Sequence, residues 1–289
     1  MIHFHKLILL VCCLLLQTTQ IFAGAWTQKK HHYYVKISLL RFESTSQYLL
    51  NGQRQKLVDR GQVLDLAVNY YMEYGIFDDL TFIASLPFKR INFSCAIEDC
   101  NKTSSGVGDI YFGLRYRLSE KLWTLSLQSG IKIAPNYETD EKELNSAPPL
   151  GDGQNDFELR LQVGRSIFKY RGYLNLDVGY RARSQEPVDE IPFSFELGVD
   201  LTQDYLLSAQ IYGVKSISET KNQSDFRIVD GRVVNFVGTG AVEDFIKAQV
   251  QFIYRINRHL DLSFLFEQVL DGRNTSHASI LGGGVALHR

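Results

Sequence analysis

Five charged residues, Lys132, Asp156, Glu158, Arg181 and Arg183, recur at alternate positions inside stretches that are otherwise largely apolar. In an extended chain, residues two apart share a face, so each stretch would present its charges on one side. Two arrangements follow. Opposite charges neutralise each other as a structural lattice, or they set the field of a constriction, as charged rings do in pores. Hydrolytic and metal chemistry find weaker support. Among the seven histidines, His3 and His5 precede a long apolar run, and His31-His32 adjoin the first extended stretch. His259 falls in an expected turn, His277 in an expected loop and His288 near the end of the chain. None stands at ligand spacing with a cysteine or carboxylate, as a zinc site requires. A serine hydrolase built on a barrel would need a Ser/His pair on a strand, and no histidine is expected in mid-strand. The sequence therefore predicts no enzyme, no metal and no cofactor.

Cys95 and Cys100 are the only cysteines after the first 23 residues. Five positions apart in one expected loop of an exported chain, they are expected to form a disulfide.

The elements that must carry these residues are legible from patterning. Lys6 precedes an uninterrupted apolar run, Leu7 to Leu16, too short to span a bilayer and followed by Ala23, Gly24 and Ala25. This is the layout of a secretory signal peptide. Residues 1–23 are read as that signal and 24–289 as the mature domain, with cleavage after Ala25 as the alternative. A formal charge of −1 gives no basic excess, which removes the electrostatic argument for a nucleic-acid binder. A mean hydropathy of −0.13 excludes a bundle of membrane helices.

Alternation with period two runs through the mature chain. Leu64, Leu66, Val68, Tyr70, Met72 and Tyr74 oppose Asp65, Ala67, Asn69 and Glu73; Phe157, Leu159, Leu161 and Val163 oppose Asp156, Glu158, Arg160 and Gln162. Twelve such strands are expected, near 31–42, 62–74, 80–89, 109–118, 122–133, 156–165, 172–182, 192–201, 205–215, 244–256, 260–270 and 279–288. Five short connections alternate with six mostly longer ones, near 43–61, 90–108, 134–155, 183–191, 216–243 and 271–278. An even strand number with short periplasmic turns and long outer loops is the pattern of an outer-membrane barrel. Such a sheet must close, because lipid offers an open strand edge no hydrogen-bonding partner. Tyr74, Tyr116, Trp123, Tyr173 and Tyr254 are expected in a periplasmic aromatic girdle, with Phe88, Phe157, Tyr180 and Phe193 at the opposite ends. Asp230-Gly231 between apolar runs predicts a hairpin within the 216–243 loop. Inward glycines at 113, 130, 164, 179 and 198 would ease curvature and leave room for a solute. The short turn after the sixth strand predicts Asp156 close to Arg181.

Five segments carry a family resemblance: Gly24-Ala25-Trp26-Thr27-Gln28, Gly106 to Leu118, Gly151 to Arg160, Gly179 to Arg183, and Gly272-Arg273-Asn274. In order and across most of the mature chain, they resemble the outer-membrane barrels of the MetA-pathway of phenol degradation type. The resemblance implies a transport barrel, with hydrophobic or aromatic compounds among its solutes, and brings no catalytic residues. It is paired with one departure: the chain ends Ala286-Leu287-His288-Arg289, without the terminal aromatic common in such barrels.

The expectation is therefore an all-β, transmembrane, antiparallel up-and-down barrel of about twelve strands in the bacterial outer membrane. Its expected role is passive passage of small molecules; the alternative is a non-conducting structural or surface-interaction barrel. Outer-membrane lipid, the barrel-insertion machinery and a small-molecule solute are the expected partners, with no nucleic acid, and the barrel is expected to be a monomer.

Overall fold

The computed structural model describes residues 24–96, 100–135, 148–167, 171–184, 188–217, 226–229, 232–235 and 242–289. The signal segment 1–23 lies outside them. Twelve strands form the wall: β1 Tyr33–Tyr48, β2 Gln62–Phe77, β3 Leu80–Ser94, β4 Ile110–Glu120, β5 Thr124–Ile133, β6 Asp156–Ile167, β7 Gly172–Arg183, β8 Glu190–Asp200, β9 Tyr205–Ser216, β10 Asp244–Arg255, β11 Leu260–Arg273 and β12 Thr275–His288. Each pairs antiparallel with its sequence neighbours, and β12 closes on β1 from Tyr34↔His288 to Tyr48↔Thr275. All twelve strands of the sequence reading are present.

The alternation decides which way each residue points. Ile37, Leu39, Leu66, Val68, Leu114, Leu159, Leu161, Val250, Phe264 and Leu281 stand exposed on the outside. Their alternate neighbours, among them Ser38, Glu73, Arg115, Gln128, Glu158 and Gln162, are buried inside. An apolar exterior around a polar interior inverts the soluble-protein pattern and suits strands facing lipid. The barrel has the fold of an outer-membrane barrel.

Several strands run farther than their patterning predicts, by two or three residues at the turn end of β2, β4 and β6 and by more at the loop end of β1, β3 and β12. β1 continues to Tyr48 and pairs there with a short strand, Arg54–Lys56. The upper part of β3 pairs with a returning strand, Lys102–Val107, from Phe88↔Val107 to Phe93↔Lys102, while its lower part pairs with β4 from Leu80↔Tyr116 to Ser85↔Tyr111. The break between these two ladders falls at Pro87, which has no N–H to donate; Gly108 N–H reaches the Pro87 carbonyl instead, at 2.9 Å. Cys95 and Cys100 are disulfide-bonded in the loop above, with Cα atoms 5.9 Å apart.

The expected long connection at 271–278 does not exist. β11 and β12 are separated by Asn274 alone, which takes the left-handed conformation with φ 51°. The two strands pair with each other only up to Gln268↔Ser279. Above that, β11 stays with β10, to Asp244↔Arg273, and β12 stays with β1. Side chains fill the parting: Tyr48 Oη donates to the Leu270 carbonyl (2.7 Å) and Gln268 Nε2 to the carbonyls of Val269 and Ala278. The hairpin expected around Asp230-Gly231 forms from Phe226–Val229 and Arg232–Asn235; residues 230 and 231 themselves lie outside the described residues.

Candidate functional site

The functional surface of a barrel is its lumen. Period-two alternation aims Lys132 (β5), Asp156, Glu158 and Arg160 (β6), Asp177, Arg181 and Arg183 (β7) and Glu190 (β8) inward on four consecutive strands. Cross-strand register then fixes the pairs. Asp156 lies opposite Lys132 and Arg183, and Glu158 opposite Arg181. The expected pairing of Asp156 with Arg181 is thus off by one step of two residues. In the ladder, partners' numbers sum to a constant set by the turn, and that constant pairs Arg181 with Glu158 instead.

All five expected residues join one network. Lys132 Nζ lies 2.7 Å from Asp156 and 3.6 Å from Asp109. Arg181 bridges Glu158 (2.7 Å) and Glu190 (2.8 Å). Arg183 bridges Glu190 (2.8 Å), Asp152 (2.6 Å) and Asp156 (3.5 Å). Arg160 ties Glu158 to Asp177, the latter at 2.6 Å. The ion pairs extend beyond the five, to Asp109, Asp152, Arg160, Asp177 and Glu190. Arg160 and Asp177 share the alternation of the five and were open to the same argument, whereas Glu190 fell in the connection expected at 183–191 and enters because the strand begins earlier, at Glu190. Asp152 was not open to it, because it stands on no strand: residues 148–155 fold down into the mouth. There Asp152 accepts from Lys132 and Arg183, its amide donates to Asp109 Oδ2 (3.3 Å), and Leu150 is buried. Burial alone would lift the Asp152 carboxyl, but Lys132 and Arg183 outweigh it and hold it below the usual carboxylate range.

The short-turn half of the lumen is occupied by residues 24–32, which precede β1. His31 N–H donates to the Gly75 carbonyl, and Gly75 N–H to the His32 carbonyl, so the segment starts at the turn end of β2. It then runs inward. Gln28 N–H donates to Thr81 Oγ1 (2.8 Å) and Gln28 Nε2 to Glu73 (2.9 Å). Arg115 Nη1 donates to the Trp26 carbonyl (2.9 Å), Ser126 Oγ to the Ala25 carbonyl, and Ala25 is fully buried. Arg115 also pairs with Glu73 at 3.1 Å, their side chains only 3% and 1% exposed. Nothing in the spacing of residues 24–32 announces this role. The segment is too short and irregular for a strand, and only the closed wall around it supplies its partners.

The inward glycines are covered rather than open. A Cβ on Gly198 would lie 1.9 Å from the Tyr173 ring, on Gly130 2.1 Å from Tyr111 Oη, on Gly164 2.8 Å from the Trp26 ring and on Gly179 2.7 Å from Arg160 Cγ. On Gly113 it would meet Tyr111 at 3.0 Å. Tyr173 consequently faces the lumen, 3% exposed, edge-on to Trp26. It does not belong to the aromatic girdle, whereas Tyr74, Tyr116 and Trp123 do stand exposed on the outside. An odd position in β7 is inward, and patterning assigned Tyr173 by its strand-end location instead.

His277 also departs from expectation. It lies in β12, not in a loop, with Nδ1 3.4 Å from Ser46 Oγ. Ser46 is only 2% exposed, and its hydroxyl already receives Arg54 Nε at 3.1 Å. A nucleophile needs access to a substrate carbonyl, which this enclosed serine lacks. Among the described residues, no group of three or more His, Cys, Asp or Glu side chains is placed to hold a metal ion.

Two cavities among the described residues bear on function. One, of about 390 Å³, lies against β1–β3 below the folded-in loop; its apolar lining is Leu40, Phe42, Ala67, Pro87, Leu150 and Ile280, and its polar lining is Asn69, Ser85, Asp109 and the Lys89–Asp65 pair at 2.9 Å. The other, of about 330 Å³, is polar and adjoins Gly24, between Arg115, Arg160 and Arg181 and the carboxylates of Glu158, Asp177 and Glu196. The lumen thus has an apolar chamber on one side and an ion lattice on the other.

No family model and no curated protein matches the sequence. Solved structures do match the fold. The COG4313 outer membrane channel from Pseudomonas putida F1 is 16% identical with a TM-score of 0.71, over 93% of this chain and 100% of that one. The translocator domain of the autotransporter NalP from Neisseria meningitidis is 11% identical (TM-score 0.52; 90% and 89% covered), and the NanC porin 8% identical (TM-score 0.50; 87% and 98% covered). All three are outer-membrane barrels.

Proposed function

We propose that the barrel is a passive outer-membrane channel for small molecules with an apolar part, of the MetA-pathway of phenol degradation type. The observation that carries this reading is the apolar chamber of about 390 Å³ inside an otherwise charged lumen. Small-ligand pockets fall in this size range and are apolar-walled with a few polar groups. A lumen serving only as a brace would be expected to close that space with side chains, as it does over its glycines. The five segments of the family resemblance support the same reading through their positions. Gly24–Gln28 lies in the lumen, Gly106–Leu118 forms the break opposite Pro87, Gly151–Arg160 and Gly179–Arg183 carry the lattice, and Gly272–Asn274 makes the one-residue turn.

The test is single-channel current in planar bilayers, with phenol as the probe. Wild type should conduct, and phenol should reduce the current; Ala67→Trp, which fills the chamber, should abolish the phenol effect. Absence of conductance both in wild type and in a variant lacking residues 24–30 would favour the non-conducting scaffold. Conductance indifferent to phenol would leave a channel but refute the apolar substrate class.

A further inference from the structure

The polar cavity beside Gly24 is lined by three arginines and three carboxylates, and one of those carboxylates stands outside the ion pairs. Arg115 is paired with Glu73, Arg160 with Glu158 and Asp177, and Arg181 with Glu158 and Glu190. Glu196, on the same wall, is in no ion pair among the described residues. It accepts Tyr173 Oη at 2.5 Å and is hydrogen-bonded by Asn175 and Ser208, all neutral donors. Gly24 lies against that same Asn175: a Cβ at Gly24 would fall 2.3 Å from Asn175 Nδ2. The carboxylate without a cation and the first residue of the luminal segment therefore share one cavity and one neighbour.

We infer that the chain is cut between Ala23 and Gly24 and that the new α-ammonium of Gly24 is the counter-ion of Glu196, which locks the processed end inside the barrel. Three arguments converge. Gly24 and Ala25 belong to the folded lumen, since Ala25 is fully buried and its carbonyl receives Ser126; cleavage after Ala25 would discard both. A peptide N–H at Gly24 would offer one donor and no charge, whereas an α-ammonium offers three donors and the missing positive charge, and its ordinary pKa of about 7.7–8.0 keeps it protonated at neutral pH. A cavity of about 330 Å³ lined by six charged side chains has no room for an apolar run such as Leu7–Leu16. The absence of a side chain at Gly24 lets the amine approach the Asn175–Glu196 pair closely. Hydrolysis of the Ala23–Gly24 amide consumes one water and yields the Ala23 carboxylate and this amine. The ammonium–carboxylate pair exists only after processing, and so adds to the contacts that already hold residues 25–28 in the lumen.

The experiment uses full-length protein purified from outer membranes. Tryptic mass mapping should give an amino-terminal peptide of residues 24–29, free at its α-amine. Acylation of that amine by an acetylating ester is then timed in the folded barrel. Wild type should react at least tenfold more slowly than the same protein unfolded in detergent and heat. Glu196→Gln should recover most of that factor and lower the pH at which the amine becomes reactive; Glu196→Asp should retain slow labelling. Tyr173→Phe removes the neutral hydrogen bond to Glu196 but leaves its charge in place, and should move both quantities much less than Glu196→Gln does. A mature terminus at Trp26 overturns the inference. So does slow labelling in Glu196→Gln with an unmoved pH profile, or an equal effect of Tyr173→Phe, either of which would reduce Glu196 to packing.

Discussion

Arg115→Met tests whether one buried guanidinium anchors the luminal segment. Besides donating Nε to Gln128 Oε1 at 3.1 Å, Arg115 makes two contacts that bear on the segment, a 3.1 Å ion pair with Glu73 and a 2.9 Å hydrogen bond to the Trp26 carbonyl. The second is charge-assisted, worth about 1.5–3 kcal/mol. Its loss should raise the detached population of residues 24–28 roughly tenfold to 150-fold, at 1.4 kcal/mol per decade. The first is a different matter. Breaking a buried pair by deleting one partner costs about 3–5 kcal/mol, chiefly because the remaining charge is stranded. Glu73 would keep Tyr71 Oη (2.6 Å) and Gln28 Nε2 (2.9 Å), which should hold the cost near the lower end. The double variant Arg115→Met/Glu73→Gln separates the effects, since it removes the stranded charge but not the lost anchor. Amide hydrogen exchange followed on the 24–29 peptide is the assay, with β4 peptides as the internal reference. The single variant should speed exchange at Ala25–Gln28 by one to two decades, and the double variant should do the same while restoring barrel stability. Unchanged exchange at Gln28, whose N–H is held by Thr81, would refute the anchoring role. Equal acceleration in β4 would make Arg115 a brace of the wall instead.

Other consequences are as direct. Arg181→Glu places a carboxylate between Glu158 and Glu190, so if the barrel conducts, its reversal potential should shift toward cations, more at low salt because screening is weaker there; an unchanged potential in a folded variant would dismiss the lattice as a selectivity element. Gly198→Ala drives a Cβ to 1.9 Å from the Tyr173 ring and should destabilise the barrel by about 1–3 kcal/mol, read as a lower midpoint in urea. Asp152 is held ionised by Lys132 and Arg183: its lowered pKa contributes stability above about pH 4 that disappears as pH falls through the folded value. The 148–155 segment should therefore become protease-sensitive on acidification below that range and stay protected from pH 5 to 7. Replacing Cys95 and Cys100 with serine should loosen only their loop, by roughly 2 kcal/mol on the loop-entropy account, and leave heat-resistant migration of the barrel intact. Single cysteines at Asn51 and Asn257 in that background should label from outside at 51 alone; the reverse would invert the topology.

Strand number, facing and closure were determined by the sequence alone, because lipid outside and water inside impose a period-two pattern that survives local detail. The same alternation put Lys132, Asp156, Glu158, Arg181 and Arg183 on the inner wall. It could not assign their partners, since register depends on the turn between strands, and one step of two residues separates Asp156–Arg183 from Asp156–Arg181. Chain ends and loops obeyed no period at all. Where β11 and β12 part above Gln268, the pairing is chosen by the flanking strands β10 and β1, not by residues 271–278 themselves. Tyr173 and the glycines show the same limit, because whether a gap in the wall is room or a socket depends on a ring from a neighbouring strand. Residues 24–32 and 148–155 carry no strand signal, and their backbone groups find partners only after the barrel has closed around them. What fills the lumen is thus a property of the closed wall, because only closure brings Arg115, Ser126, Lys132 and Arg183 within reach of segments distant in the chain.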